Sequence, residues 1–366
     1  MKKQGFGLAA SVAAMLLSAV SSLAQERVVN VYNWSDYIDE SILEDFTKET
    51  GIKVVYDVFD SNEILETKLL AGGSGYDVVV PTAPFLARQI QAGVFLKLDK
   101  SKLPNMKNLW PEVSERLAAY DPGNEHAINY MWGTTGIGYN VDKVKAALGE
   151  DVKIDSFDIL FKPENAEKLK DCGINILDAS DETFAIAMNY IGKNPDSKET
   201  ADLEAGAEVY MKIRPYARTF NSSPYIDDLA NGDICITLGW SGDVLQAKAR
   251  AEEANNGVKI EYVIPKEGTY MWFDNLAIPA DAKNVEEAYA FIDYLMRPEV
   301  IAKASDYVQY ANGNLASQQF ISEEVLKNPS VYPDQETMKK LFTISPYGPR
   351  EQRVLNRLWT QIKTGG

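Results

Sequence analysis

Hydrophobic runs of strand length alternate with amphipathic helical patterns along the chain. Residues 28–32 read as a buried strand, followed from about Glu40 by a helix whose apolar face is Ile42, Leu43 and Phe46 and which Gly51 stops. A second strand at 52–58 leads to a helix with Ile64, Leu65, Leu69 and Leu70 inward and Gly72-Gly73 at its end. Residues 76–80 form a third strand, broken by Pro81. The same alternation returns later, with strands at 174–177 and 234–238 separated by helices around 184–191 and 201–212. Asn284 with Glu287 reads as a capping pair opening a helix that ends before Pro298. Such βαβ alternation predicts an α/β protein with a mainly parallel sheet and helices on both faces. With 366 residues, more than one hydrophobic core holds, it divides into at least two domains, and the glycine-rich stretch 133–138 is the expected crossing between them.

The N-terminus breaks the pattern. Lys2 and Lys3 precede an apolar run, residues 6–20, and Ser22-Leu23-Ala24 places small residues where a signal peptidase reads. Residues 1–24 are therefore expected to be a secretory signal peptide, with no cysteine after the cleavage site to carry a lipid. The later chain has no apolar stretch of ~20 residues, so direct membrane insertion is not expected. Export to an oxidising compartment allows Cys172 and Cys235, the only two cysteines, to pair, the alternative being two buried thiols.

Composition narrows the chemistry. With 53 Asp and Glu against 37 Lys and Arg, the formal net charge is −16, which argues against a nucleic-acid partner and fits a cationic one. The single histidine, His126, has no cysteine or second histidine near it and reads as structural rather than as a metal ligand or base, so no metal, cofactor or Ser-His-Asp triad is expected. Three of the six tryptophans precede an aspartate at or beyond a predicted strand: Trp34-Ser-Asp36, Trp240-Ser-Gly-Asp243 and Trp272-Phe-Asp274. Ligands of open α/β sheets bind outside the carboxyl ends of the strands, where these indoles and carboxylates would converge. Aromatic faces and carboxylates without a matching arginine or lysine describe an organic ammonium site. Sugars also stack on tryptophan and bond to aspartate, so carbohydrate is the competing ligand and a secreted glycan-active enzyme the competing activity.

The stretches Val29-Asn-Val-Tyr-Asn-Trp-Ser-Asp-Tyr-Ile38, Tyr76-Asp-Val-Val-Val-Pro81, Tyr130-Met-Trp-Gly-Thr134, Asp228-Leu-Ala-Asn-Gly-Asp-Ile-Cys235 and Ile264-Pro-Lys-Glu-Gly268 resemble those of bacterial periplasmic polyamine-binding proteins, which deliver putrescine or spermidine to ABC importers. The likeness runs from about Val28 to Lys363. It implies a two-lobed periplasmic binding protein of the second structural type that is a monomer and not an enzyme, works with an inner-membrane permease and its ATPase, and closes on its ligand. By position, lobe 1 would comprise 25–133 and 257–311, and lobe 2 would comprise 134–256 and 312–366. Carried over residue by residue, Trp34, Tyr37, Trp240 and Trp272 would box the methylene chain. Asp36, Glu182, Asp243 and Asp274 would meet the ammonium groups, and Ser35, Thr82, Ser223 and Tyr310 would add hydrogen bonds. Cys172 and Cys235 match the family's disulfide. Thr82 stands where serine is common, Pro84 where a small polar residue is usual, and Trp272 where many putrescine binders have phenylalanine, which leaves both putrescine and spermidine open as ligand.

Overall fold

The structure, a computed structural model, describes residues 26–365, so the expected leader lies outside the described residues. The described strands are β1 (Val28–Trp34), β2 (Lys53–Phe59), β3 (Val78–Val79), β4 (Ala127–Asn140), β5 (Ile174–Ile176), β6 (Thr219–Phe220), β7 (Ile236–Trp240), β8 (Ile260–Val263), β9 (Met271–Ala277) and β10 (Ala311–Asn312). They join one sheet in the order β2-β1-β3-β9-β4-β7-β5-β6, with β8 and β10 also on β4.

The wings of the sheet are parallel: β1 with β2 and β3, and β5 with β6 and β7. Its centre is antiparallel, which corrects the expectation of a mainly parallel sheet. The reason is β4, fourteen almost wholly buried residues that pair with β9 over 127–134 and then with β7 over 135–139 and β8 over 137–140. The expected crossing at 133–138 is thus one continuous strand shared by both halves. Its glycines permit close approach: a Cβ on Gly133 would lie 2.6 Å from the Trp272 indole.

One hydrophobic core runs through both halves. In the first, Phe46 meets Phe291 edge-on at 5.2 Å beneath Val29, Val31 and Val78. In the second, Trp359 of the helix Pro349–Thr364 packs on Tyr210 at 5.8 Å and on Phe184 at 6.1 Å. The bond between Cys172 and Cys235 is formed in the second half, with a Cα–Cα distance of 5.4 Å, and ties the chain entering β7 to the turn before β5.

Two local readings are corrected. Leu65 and Leu69 are buried in the helix Asn62–Leu70, but Ile64 and Leu70 are 50% and 57% exposed. Adjacent residues are about 100° apart on a helix, so only one of each pair reaches the core. Asn284 does not cap the helix Val285–Leu295 with its side chain. Its Nδ2 donates instead to Asp77, at 2.9 Å, and Asp77 also accepts from the backbone and side chain of Asn30 and the backbone of Lys283 and Asn284.

Strand pairing bears on how the chain divides. β8 lies beside the part of β4 that pairs with β7, and Ile321, Val325 and Val331 pack with Trp132 and Phe273 of the first half. We therefore propose that the chain returns to lobe 1 after Val263 rather than at 257, and crosses for the last time near 342–348 rather than at 312.

Candidate functional site

The ends of β1, β7 and β9 open on one cleft between the halves, about 840 Å³ including its mouth. At the end of β1 the chain turns sharply, with Asp36 in a left-handed conformation (φ 54°) that aspartate tolerates better than most residues. Trp34 is fixed in this turn by an Nε1 bond to the Val80 carbonyl at 2.9 Å. Trp240, at the end of β7, faces it from the other half, with ring centroids 5.8 Å apart and planes at 73°. Trp272 is 5% exposed and packs edge-on against Tyr310 at 5.0 Å. Tyr37 meets the other side of Tyr310 at 5.4 Å. These rings make an apolar channel.

Two aspartates stand in the channel wall. Asp274, on β9, is 5% exposed and accepts from the Thr82 hydroxyl at 2.7 Å and the Tyr37 hydroxyl at 2.9 Å. Asp243, in the first turn of the helix Ser241–Glu253, is 8% exposed and accepts from the Tyr310 hydroxyl at 2.6 Å and the Tyr225 hydroxyl at 2.9 Å. Neither has a bonded cation among the described residues. An ionised carboxylate has about four acceptor positions, so each keeps capacity for a donor from the cleft. Burial pushes both up to about 7 against the opposing pull of their hydroxyl donors, and Asp243 raises Asp274 further. The four phenols and alcohols donate because the carboxylates can only accept, and burial keeps Tyr37, Tyr225 and Tyr310 protonated.

Glu182 is the third buried carboxylate, in the first turn of the helix Ser180–Tyr190. It accepts from the Trp240 indole at 3.0 Å and from the Thr135 hydroxyl, and burial lifts it to about 8. Ser35 and Ser223 line the cleft.

Of the twelve residues expected at the site, eleven line this cleft: Trp34, Ser35, Tyr37, Thr82, Glu182, Ser223, Trp240, Asp243, Trp272, Asp274 and Tyr310. Asp36 does not. Its Oδ1 takes Arg250 Nη2 at 2.6 Å, and Arg250 Nη1 holds Asp227 at 2.7 Å, so this carboxylate closes an ion pair between the halves at the cleft's edge. The left-handed turn that aims Trp34 and Tyr37 inward sends the intervening side chain outward. His126 is structural, its Nδ1 2.9 Å from Asp121 Oδ1.

The residues not anticipated are Tyr225, Asn62, Glu63 and Asp181. Tyr225 gives Asp243 its second hydroxyl, yet in the sequence an apolar-flanked tyrosine cannot be told from core. Asn62 fixes Thr82 at both ends, donating to its hydroxyl at 2.9 Å and accepting from its backbone at 3.1 Å. Glu63 and Asp181 line the cleft beside Asp60 and Asp178 and sat unnoticed among many acidic residues.

Residues 41–333 match the family model described as bacterial extracellular solute-binding protein. The chain is 55% identical over 365 residues, the whole of both chains, to the putrescine-binding periplasmic protein SpuD of Pseudomonas aeruginosa. It is 54% identical to the putrescine-binding periplasmic protein PotF of Escherichia coli, covering all of this chain and 98% of that one. A solved structure, a putative spermidine/putrescine ABC transporter protein from Listeria monocytogenes, superposes with a TM-score of 0.83 at 32% identity, over 92% of this chain and 99% of that one. The chain therefore belongs to the bacterial extracellular solute-binding proteins.

Proposed function

We propose that this protein is the periplasmic solute-binding component of an ABC importer for polyamines, with putrescine held between its halves. It binds and delivers its ligand as a monomer and catalyses no reaction. The observation that carries this reading is the pair Asp243 and Asp274, buried in an aromatic channel, supplied with hydroxyl donors and with no bonded cation among the described residues. Carboxylates out of water are costly unless a positive partner arrives, and an ammonium group desolvates with equal reluctance, so each stabilises the other in the cleft. The indoles of Trp34, Trp240 and Trp272 cover the methylenes and leave no room for branches. The names of SpuD and PotF point to the same ligand.

Tyr310 adds the conformational part. Its hydroxyl joins Asp243, while the strand that follows it, β10, pairs with β4 beside Met131 and Trp132. A cation on Asp243 and Asp274 then touches both halves and favours the closed arrangement, the form a permease would recognise. A thermal-shift panel of putrescine, spermidine and neutral sugars tests the reading. A ligand at ~100 times its dissociation constant adds about 2.7 kcal/mol of stability. Stabilisation by sugars with none from either polyamine would overturn the proposal.

A further inference from the structure

Resting on the polyamine reading, we propose that Asn62 is a positioning residue for ligand binding: it sets the direction of the Thr82 hydroxyl and so fits Asp274 to receive an ammonium group. Asn62 opens the helix Asn62–Leu70, and Thr82 immediately precedes the helix Ala83–Gln91. Two helix starts of the first half therefore meet at the carboxylate on β9.

The hydrogen bonds fix which atom gives and which receives. The Thr82 backbone N–H can only donate, so the atom 3.1 Å from it is the Asn62 amide oxygen, and the NH2 group faces Thr82 Oγ1 at 2.9 Å. That NH2 can likewise only donate. Oγ1 therefore accepts there, and its proton goes to Asp274 Oδ1 at 2.7 Å. A backbone bridge between Thr82 and Asp274 holds the two residues in register. Thr82 also shows what this arrangement displaces. It occupies the N-cap of the helix Ala83–Gln91, where a threonine oxygen ordinarily accepts from a first-turn N–H, yet its side chain makes no capping bond. The hydroxyl is turned away from its own helix and onto the carboxylate.

Asp243 is served in the same way by the backbone. The Trp240 N–H donates to Tyr225 Oη and the Asp243 N–H to Tyr310 Oη, each at 3.1 Å, and both phenols pass their protons to the Asp243 carboxylate. Of these oriented hydroxyls, Thr82 alone takes its direction from a side chain. A hydroxyl without such a donor is free to accept from a protonated acid, which favours the neutral form that an ammonium cannot use. Against the upward push of burial, the Thr82 bond is the largest downward pull on Asp274. The titratable groups around Asp274 are Tyr37 after β1, Tyr130 on β4, Tyr270 beside β9, and Glu182 and Asp243 from helices of the second half. Asn62 carries no charge, so replacing it leaves all of theirs in place.

Calorimetric titration of putrescine, or of spermidine where only that binds, into the wild type, Asn62→Ala, Thr82→Val and the double variant tests the role. On the scale of one hydrogen bond to a charged group, Asn62→Ala is expected to weaken binding about tenfold near about pH 6.5 and less near about pH 8.5, where Asp274 ionises without help. Thr82→Val should lose at least as much. The double variant should lose no more than Thr82→Val alone, because Asn62 has nothing to act through once the hydroxyl is gone. Where Asn62→Ala melts far below the wild type, Asn62→Leu, which keeps the volume, replaces it in both comparisons. An Asn62 variant that binds like the wild type, losses that add in the double variant, or a loss equal at both pH values would each overturn the positioning role and leave the polyamine reading standing. A wild type that binds neither polyamine removes both.

Discussion

Lowering the pH should expel the ligand before it harms the fold. In the free protein burial holds Asp243 and Asp274 near 7, so at neutral pH each is part protonated. An ammonium needs the ionised form, and putrescine's amines, like lysine's, stay charged throughout the range. For one carboxylate titrating near 7, moving from about pH 8 to about pH 5.5 costs roughly a factor of 30 in affinity, or ~2 kcal/mol at 1.36 kcal/mol per unit. Two such groups acting independently would multiply the factor, although the Asp243 charge also acts on Asp274, so the pair titrates jointly. The apo fold responds in the opposite sense. Acids whose folded pKa is raised from near 4 cost no stability below that value, and stability falls as pH rises toward the folded value. Ligand-free protein should therefore lose stability between about pH 4 and 7 from these groups, while the increment added by putrescine grows over the same range. Calorimetry at several pH values, in buffers of differing ionisation enthalpy, reads both affinity and released protons. A dissociation constant unchanged from pH 8 to 5.5, with no proton release, would mean that the aspartates are ionised before the ligand arrives and would refute the reasoning.

Three other outcomes are expected. Asp274→Asn should weaken putrescine by more than about 2 kcal/mol, whereas Asp36→Asn, which loses only a part-exposed pair with Arg250, should cost less than about 1 kcal/mol; calorimetry that ranks them the other way returns Asp36 to the ligand. Replacing Cys172 and Cys235 by serine opens a loop spanning 63 positions and should lower unfolding stability by about 4 kcal/mol in the chain-entropy model, measured by urea unfolding of the oxidised wild type beside the double variant. Asp77→Ala strands donors from Asn30, Lys283 and Asn284, whose hydrogen bonds overcome the upward push of burial and hold the carboxylate below its usual range, and should cost about 2–4 kcal/mol with no change in putrescine affinity once folded; a stability within 0.5 kcal/mol of wild type, on the same ~1–3 kcal/mol scale for a stranded donor, would refute it.

Much of this was legible in the chain itself because periodicity and turn residues report local structure. β1, the helix Glu40–Thr50 and Gly51 at its end lie where the pattern predicts them. Tryptophan and aspartate at the carboxyl ends of β1 and β7 pointed to the cleft, whereas Trp272 and Asp274 reach it from the first half of β9 rather than from its carboxyl end. What escaped depended on contacts distant in sequence. The antiparallel centre of the sheet arises from pairing Ala127 with Ala277, and no local pattern encodes that direction. Asp36 was placed at the site by its position beside Trp34 and by the family's motif, and neither shows that a left-handed turn points its side chain to Arg250. Tyr225 and Asp181 went unseen because a phenol or carboxylate acquires its role from neighbours 18 and 171 positions away, Asp243 and Gln352.

The strand common to both halves also governs how the protein can be made. Residues 127–134 wait for partners at 271–277, well over a hundred positions later, and residues 131–132 wait for 311–312. High separation between pairing residues slows folding, since loop closure precedes the contacts that reward it. On the division proposed above neither half is a continuous piece of chain, so a nascent polypeptide would not finish one lobe while the other is being synthesised. The chain stays open until its last third has emerged.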